Sequence, residues 1–147
     1  MNAFRNPFLL VVLFCSLFLV KCTCEDDTDD VDSLVAQISQ PWKISALTVD
    51  GNAITEDIDG FNLTLNQNAD APTTYSISTG GLAYNFAPNT SGNWSLAPDN
   101  ENPTSIVFSG STVTLVSASA TQLVIRYNEA AAEGKPEPVV QFTLVPR

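Results

Sequence analysis

The sequence predicts an all-β domain, an antiparallel up-and-down meander of about eight to ten short strands that closes into a barrel behind a short N-terminal helix. From Trp42 onwards, short runs of alternating apolar and polar residues follow one another, and Gly, Asn, Asp or Ser bounds each run, which is typical of half-buried strands joined by turns. The chain has 147 residues, 44% of them hydrophobic, which is enough for one domain with a single core. A strongly curled sandwich is the alternative to a barrel; closure into a barrel is favoured because it removes exposed strand edges.

Residues 31–39 are predicted to form a short amphipathic helix that covers one end of the sheet. Its apolar residues recur at helical spacing: Val31, Leu34, Val35 and Ile38. Asp30 or Asp32 can cap the first turn, and Pro41 stops the helix.

Trp42–Val49 is predicted to be the first strand. It has apolar residues on both faces, which a bulge near Ser45 or coverage by the helix would explain. In each of the next three predicted strands, one face is apolar: Phe61, Leu63 and Leu65, then Tyr75 and Ile77, then Leu82, Tyr84 and Phe86.

The meander from Gly92 to Tyr127 shows the strand pattern over the longest stretch, and a last strand follows the loop at 129–138. Because side chains alternate between the two faces of a strand, one parity of each run is assigned to the core. The predicted inward residues are Trp94, Leu96, Ile106, Phe108, Val113, Leu115, Leu123, Ile125, Tyr127, Val140, Phe142 and Leu144.

The N-terminus is predicted to be a lipoprotein signal peptide, residues 1–21. Arg5 precedes an apolar run, Phe8–Val20, which is shorter than the roughly 20 residues that a membrane span needs. Leu-Val-Lys-Cys (19–22) resembles the lipobox of bacterial lipoproteins, in which the cysteine is acylated. Lys21 departs from that pattern, so Cys24 is the alternative to Cys22, and a secreted protein with incidental cysteines is a further alternative.

Residues 22–32 are predicted to be an acidic tether, followed by the barrel domain at 33–147. The run Glu-Asp-Asp-Thr-Asp-Asp-Val-Asp (25–32) offers carboxylates to Ca²⁺, but it lacks the glycine and the ligand spacing of an EF-hand loop. A solvated, self-repelling linker is the favoured interpretation.

Composition argues against several classes of function. The chain carries 16 acidic and 6 basic residues, a net charge of −10, which opposes binding to nucleic acid. It has no histidine and its three cysteines are N-terminal, so the domain has no thiolate or histidine metal site.

Catalytic carboxylates would have to come from Asp57, Asp59, Asp99 and Glu101, which lie in predicted turns. We therefore expect a protein that is not an enzyme and uses no cofactor or metal.

Several short segments together resemble a known family. They are Val-Asp-Gly-Asn (49–52), Phe-Asn-Leu-Thr-Leu (61–65), Thr-Gly-Gly (79–81), Ser-Gly-Asn-Trp-Ser-Leu (91–96) and Val-Gln-Phe-Thr-Leu (140–144). With Trp42 opening a strand and the lipoprotein leader, they look like the lipocalin-like β-barrel lipoproteins of Bacteroidetes over about residues 42–146. The resemblance implies a barrel at the outer membrane, and it carries over no catalytic or ligand residues.

The same resemblance bears on location and modification. The acidic run behind the lipid cysteine is similar to the surface-export signal of Bacteroidetes lipoproteins, which implies that the domain faces outward. Asp-Ser-Leu (32–34) fits the short pattern at which proteins of that group are O-glycosylated, so Ser33 is a candidate site.

The expected function is binding. A small barrel can hold one small hydrophobic ligand, and the candidate ligand residues are Arg126, Trp94, Trp42 and Tyr84. Arg126 could fix an anionic group if it pointed inward, but alternation along its strand directs it to solvent. The alternative is a structural or interaction module of the cell envelope that has no ligand cavity and meets surface proteins or glycans.

Overall fold

A computed structural model of the chain describes residues 28–55, 57–98, 102–131 and 133–147. One helix, α1, spans Thr28–Ile38. Nine strands follow it: β1 (Pro41–Val49), β2 (Asn52–Ala53), β3 (Asn62–Asn68), β4 (Ala71–Ser78), β5 (Ser91–Ala97), β6 (Ser105–Phe108), β7 (Ser111–Ala118), β8 (Leu123–Asn128) and β9 (Val139–Pro146). The all-β class is confirmed.

The strands form one antiparallel sheet in the order β2-β1-β3-β4-β5-β6-β7-β8-β9, and a further pairing of β1 with β9 closes it. Eight strands therefore make a closed barrel, to which β2 adds a short extra strand along β1. The β1–β9 register runs from Trp42 opposite Pro146 to Val49 opposite Val140, with a shift between Ile44 and Ala46. This shift confirms the predicted bulge near Ser45, and closure decides between the barrel and the sandwich.

The core consists of the inward-facing side chains of the strands. The predicted inward set is buried with two exceptions, Leu115 and Tyr127, which are half-buried at its margin. No polar or charged residue of the described ranges is buried. The barrel interior is therefore apolar wherever the structure describes it.

Helix α1 covers one end of the barrel with its apolar face. Val35 and Ile38 are buried in the core, and the Trp42 indole Nε1 donates to the carbonyl of Ile38 over 2.8 Å. The Gln40 amide Nε2 also donates to the carbonyl of Ala120 in the β7–β8 turn, again over 2.8 Å. These contacts hold the end of the helix against the strands beside it.

The helix begins three residues earlier than predicted, at Thr28, and ends at Ile38. Asp30 and Asp32 therefore lie inside it, and the prediction that one of them caps its first turn is wrong. Acidic residues are favourable in the first turns of a helix because the helix dipole is positive at that end, so the segment Thr28–Asp32 can be helical. The predicted boundary between tether and domain, at residue 32, falls within α1.

The predicted strand through Leu82, Tyr84 and Phe86 is absent, because residues 79–90 form an irregular loop between β4 and β5. The Asn85 side-chain Oδ1 accepts a hydrogen bond from the backbone N–H of Ala87 over 3.2 Å, a local turn that competes with an extended strand. The loop instead buries Leu82 and Phe86 in the core. It covers the end of the barrel opposite α1, where the Ser111 hydroxyl donates to the Phe86 carbonyl over 2.9 Å.

The start of this loop depends on a close approach of two glycines. Gly80 has a φ of 65°, and a Cβ built on it would overlap the backbone of Gly60. Gly81 has a φ of 98°, but a Cβ there would meet nothing within 4 Å. Gly80 is therefore required both for its backbone conformation and for the space it leaves, and Gly81 only for its conformation.

Replacing these glycines separately measures the two requirements. We expect Gly81→Ala to lower the free energy of unfolding by about 1–2 kcal/mol, the cost of a left-handed backbone for alanine. Gly80→Ala should lower it by at least about 1 kcal/mol more, because the methyl group also displaces Gly60. Urea unfolding measures both values, and equal losses would contradict the close approach.

Candidate functional site

The barrel interior beneath the β4–β5 loop is occupied by the ring of Phe86. Its centroid lies 5.0 Å from that of Phe108, 5.2 Å from that of Phe142, 6.2 Å from that of Phe61 and 6.5 Å from that of Tyr127. Phe61, Phe108 and Phe142 are completely buried. The loop thus places its own aromatic side chain among the rings that line this end of the barrel.

The two tryptophans proposed as ligand residues are part of the core. Trp42 and Trp94 are 0% and 3% exposed. The Trp42 indole donates to Ile38, as described above, and the Trp94 Nε1 donates to the carbonyl of Asn66 over 2.8 Å. Because each indole N–H already has a backbone acceptor, these side chains are anchored between elements of the fold, and neither presents a free donor to a ligand.

Tyr84 and Tyr127 lie at the margin of the core and are both half-buried. The Tyr127 hydroxyl donates to Glu129 Oε2 over 2.7 Å. Burial is the main cause that raises the pKa of Tyr127 far above its ordinary value, and the hydrogen bond to Glu129 and the negative charge of that carboxylate raise it further. Tyr127 is therefore a neutral hydrogen-bond donor at physiological pH.

Arg126 points away from the barrel interior, as alternation along β8 predicts, and it is exposed. It lies opposite Thr114 on β7 and Gln141 on β9. The guanidinium borders a depression of about 360 Å³ in the outer wall. The lining residues are Ser111, Thr112, Thr114, Arg126, Tyr127 and Asn128. The structure therefore places Arg126 in a polar site outside the barrel and separates it from both tryptophans.

A second depression, of about 330 Å³, lies where β4 and β5 diverge beneath α1. The pairing of these strands stops at Thr74 opposite Asn93. The depression is lined by Val31, Asp32, Val35, Asp70, Ala71, Pro72, Ser95 and Leu96. It combines an apolar floor with two carboxylates, and it contains none of the candidate ligand residues.

The remaining candidates lie apart from these sites. Asp57 and Asp59 are exposed, and the Asp59 backbone N–H donates to Asp57 Oδ1 over 3.0 Å, which is an ordinary turn interaction. Ser33 is exposed on α1, where its hydroxyl accepts a hydrogen bond from Gln37 Nε2 over 3.1 Å. Cys22, Cys24, Asp99 and Glu101 lie outside the described residues. Among the residues that are described, no group of three Cys, Asp or Glu side chains could hold a metal ion.

The role of Phe86 is not evident from the sequence, because the alternating pattern of residues 82–86 predicts a strand. Three alternating apolar residues fit a strand and a loop folded into the core equally well. The signals that could have separated the two are Asn85 and Pro88, which flank Phe86 and favour turns. Phe86 is nevertheless the loop residue that fills this end of the barrel interior.

No protein-family model, curated protein or solved structure matches the chain. Within the described ranges, no helix is long and apolar enough to cross a bilayer.

Removing the Phe86 ring should open the interior. We expect Phe86→Ala to lower the free energy of unfolding by about 3–5 kcal/mol, because it removes a buried ring and leaves a cavity among aromatic side chains. An apolar cavity of this kind can take up a benzene-sized molecule, so benzene should stabilise the variant and leave the wild-type protein unaffected. Tyr84→Ala, in the same loop, is the control. It should lower the free energy of unfolding by less than Phe86→Ala does, and benzene should not stabilise it to the same extent.

The pKa of Tyr127 predicts a loss of stability in alkali. Because its pKa is raised in the folded protein, Tyr127 stays protonated while the same residue in the unfolded chain ionises near pH 10.0. The contribution of Tyr127 to the free energy of unfolding is fully present below that pH, and it declines as the pH rises above it. Urea unfolding over this range should show a weaker decline in Tyr127→Phe than in wild type. Identical pH dependence of the two proteins would contradict the prediction.

Proposed function

We propose that this chain is an exported, lipid-anchored β-barrel protein of the outer membrane, facing outward, and that it acts as an interaction module of the cell envelope without catalysis. The anchor and location rest on the apolar run Phe8–Val20, on Cys22 after it and on the acidic run behind that cysteine. The choice of an interaction module over an interior ligand rests on one observation, the packing of Phe86 among the rings of Phe61, Phe108, Tyr127 and Phe142.

A ligand in the barrel interior would have to displace Phe86. Exposing a buried phenylalanine to water costs about 1.5–3 kcal/mol, so such a ligand would lose roughly a tenfold to hundredfold factor in affinity before any gain. The loop would also lose the hydrogen bond between Ser111 and the Phe86 carbonyl. These costs favour binding at the outer surface.

Small-ligand binding remains a second candidate function, at the outer wall of the barrel and not in its interior. The observation in its favour is the depression beside Arg126, whose volume of about 360 Å³ falls in the range of small-molecule sites. A ligand bound there would contact the outer wall of the barrel and leave the packing of Phe86 intact.

The anchor is tested by labelling the full chain in a bacterial host with an alkyne analogue of palmitate. We expect the label on the wild-type protein and on Cys24→Ala, and its loss in Cys22→Ala together with release of the protein from the membrane fraction. Each buried acyl methylene contributes about 0.8 kcal/mol to membrane binding. Loss of the acyl chains should therefore release the protein from the membrane. Label that persists in Cys22→Ala would contradict the assignment of the anchor to this cysteine.

Exposure of the domain on the cell surface is tested on the same cells. Protease added to intact cells should digest the wild-type protein if the domain faces outward, and should spare a periplasmic marker. Protection of the full chain until the outer membrane is opened would contradict the outward orientation.

A further inference from the structure

We propose that the depression beside Arg126 binds the carboxylate of an acidic sugar, a uronic acid residue within a glycan. This proposal names a ligand class for the outer-surface binding described above and rests on that proposed function.

The guanidinium of Arg126 has no acidic partner among the described residues. The chain has 16 acidic residues and 6 basic ones, so acids that could neutralise an arginine outnumber the bases. Its neighbours across the strands are Thr114 and Gln141, which are uncharged. Within the described ranges the Arg126 side chain forms no ion pair or hydrogen bond. Its five N–H donors remain available for a carboxylate, which a guanidinium binds through two parallel hydrogen bonds.

The walls around the guanidinium are suited to sugar hydroxyls. Thr112 and Thr114 add hydroxyl groups on the exposed face of β7, and Asn128 adds an amide on β8. Hydroxyls and amides both donate and accept hydrogen bonds, as the hydroxyls of a sugar do. Ser111 and Tyr127 also line the depression, but their hydroxyls already donate to the Phe86 carbonyl and to Glu129 within the protein. The site therefore offers one positive charge surrounded by uncharged hydrogen-bonding groups.

The charge balance favours a ligand with a single negative charge. One guanidinium can neutralise one carboxylate, whereas a phosphate or sulfate cluster needs several cations. The net charge of −10 repels polyanions at long range, and Glu129, bonded to the Tyr127 hydroxyl, adds a negative charge near this end of β8. A uronic acid carries one carboxylate and several hydroxyls, which is the combination that the lining matches.

The test uses the full acylated chain in detergent, titrated calorimetrically with methyl galacturonoside, which carries one carboxylate, and with neutral methyl galactoside. We expect methyl galacturonoside to bind, and methyl galactoside to bind at least about tenfold more weakly, because it leaves the guanidinium without a charged partner. Arg126→Gln should weaken methyl galacturonoside binding by a similar factor, and Arg126→Lys by less. Lys43→Gln is the matched control: it removes one positive charge from the exposed face of β1, and it should leave binding unchanged.

Several outcomes would overturn the site. Equal losses in Arg126→Gln and Lys43→Gln would show a general charge effect, and equal affinity for both sugars would exclude carboxylate recognition. Competition by inorganic phosphate at lower concentration than methyl galacturonoside would assign the guanidinium to phosphate. Absence of methyl galacturonoside binding, in a protein that is acylated and is digested by protease on intact cells, would overturn the sugar site and leave the proposed function standing. Equal thermal unfolding midpoints of the three variants and the wild type would confirm that weaker sugar binding is not caused by a loss of folding.

Discussion

The pairing of β1 with β9 is the constraint on which the rest of the structure depends. These strands come from opposite ends of the described domain, and their register extends from Trp42 opposite Pro146 to Val49 opposite Val140. Once they pair, no long strand edge remains open, and eight strands enclose an interior that is only wide enough for side chains or one small ligand. The size of that interior then determines what the protein can hold.

The chain fills and covers this interior with its own residues. Helix α1 inserts Val35 and Ile38 at one end, and the β4–β5 loop inserts Leu82 and Phe86 at the other. The same packing that stabilises the barrel therefore takes the space in which a barrel of this size would bind a ligand. Groups available for recognition remain on the outside, where Arg126 stands in a polar depression. This distribution is the physical basis for proposing outer-surface binding.

Most of the strands could be predicted from the sequence because burial on one face imposes an alternation of apolar and polar residues, as in Phe61, Leu63 and Leu65. The outward direction of Arg126 followed from the same rule. The fate of Phe86 did not, because a short alternating run looks the same in a strand and in a loop that folds into the core. Trp42 and Trp94 could equally have lined a cavity or filled a core, since both settings require apolar surroundings, and only their backbone acceptors distinguish the two.

The central claim is that Phe86 fills the barrel interior in solution, and nuclear Overhauser effects between aromatic rings test it most directly. The centroid distances of 5.0 Å to Phe108 and 5.2 Å to Phe142 predict strong effects from the Phe86 ring to both rings. These effects should persist when an apolar probe such as 1-aminonaphthalene is added. Absence of the effects, or their replacement by contacts between the probe and Phe108 or Phe142, would show that the interior is an open ligand site and would contradict the account.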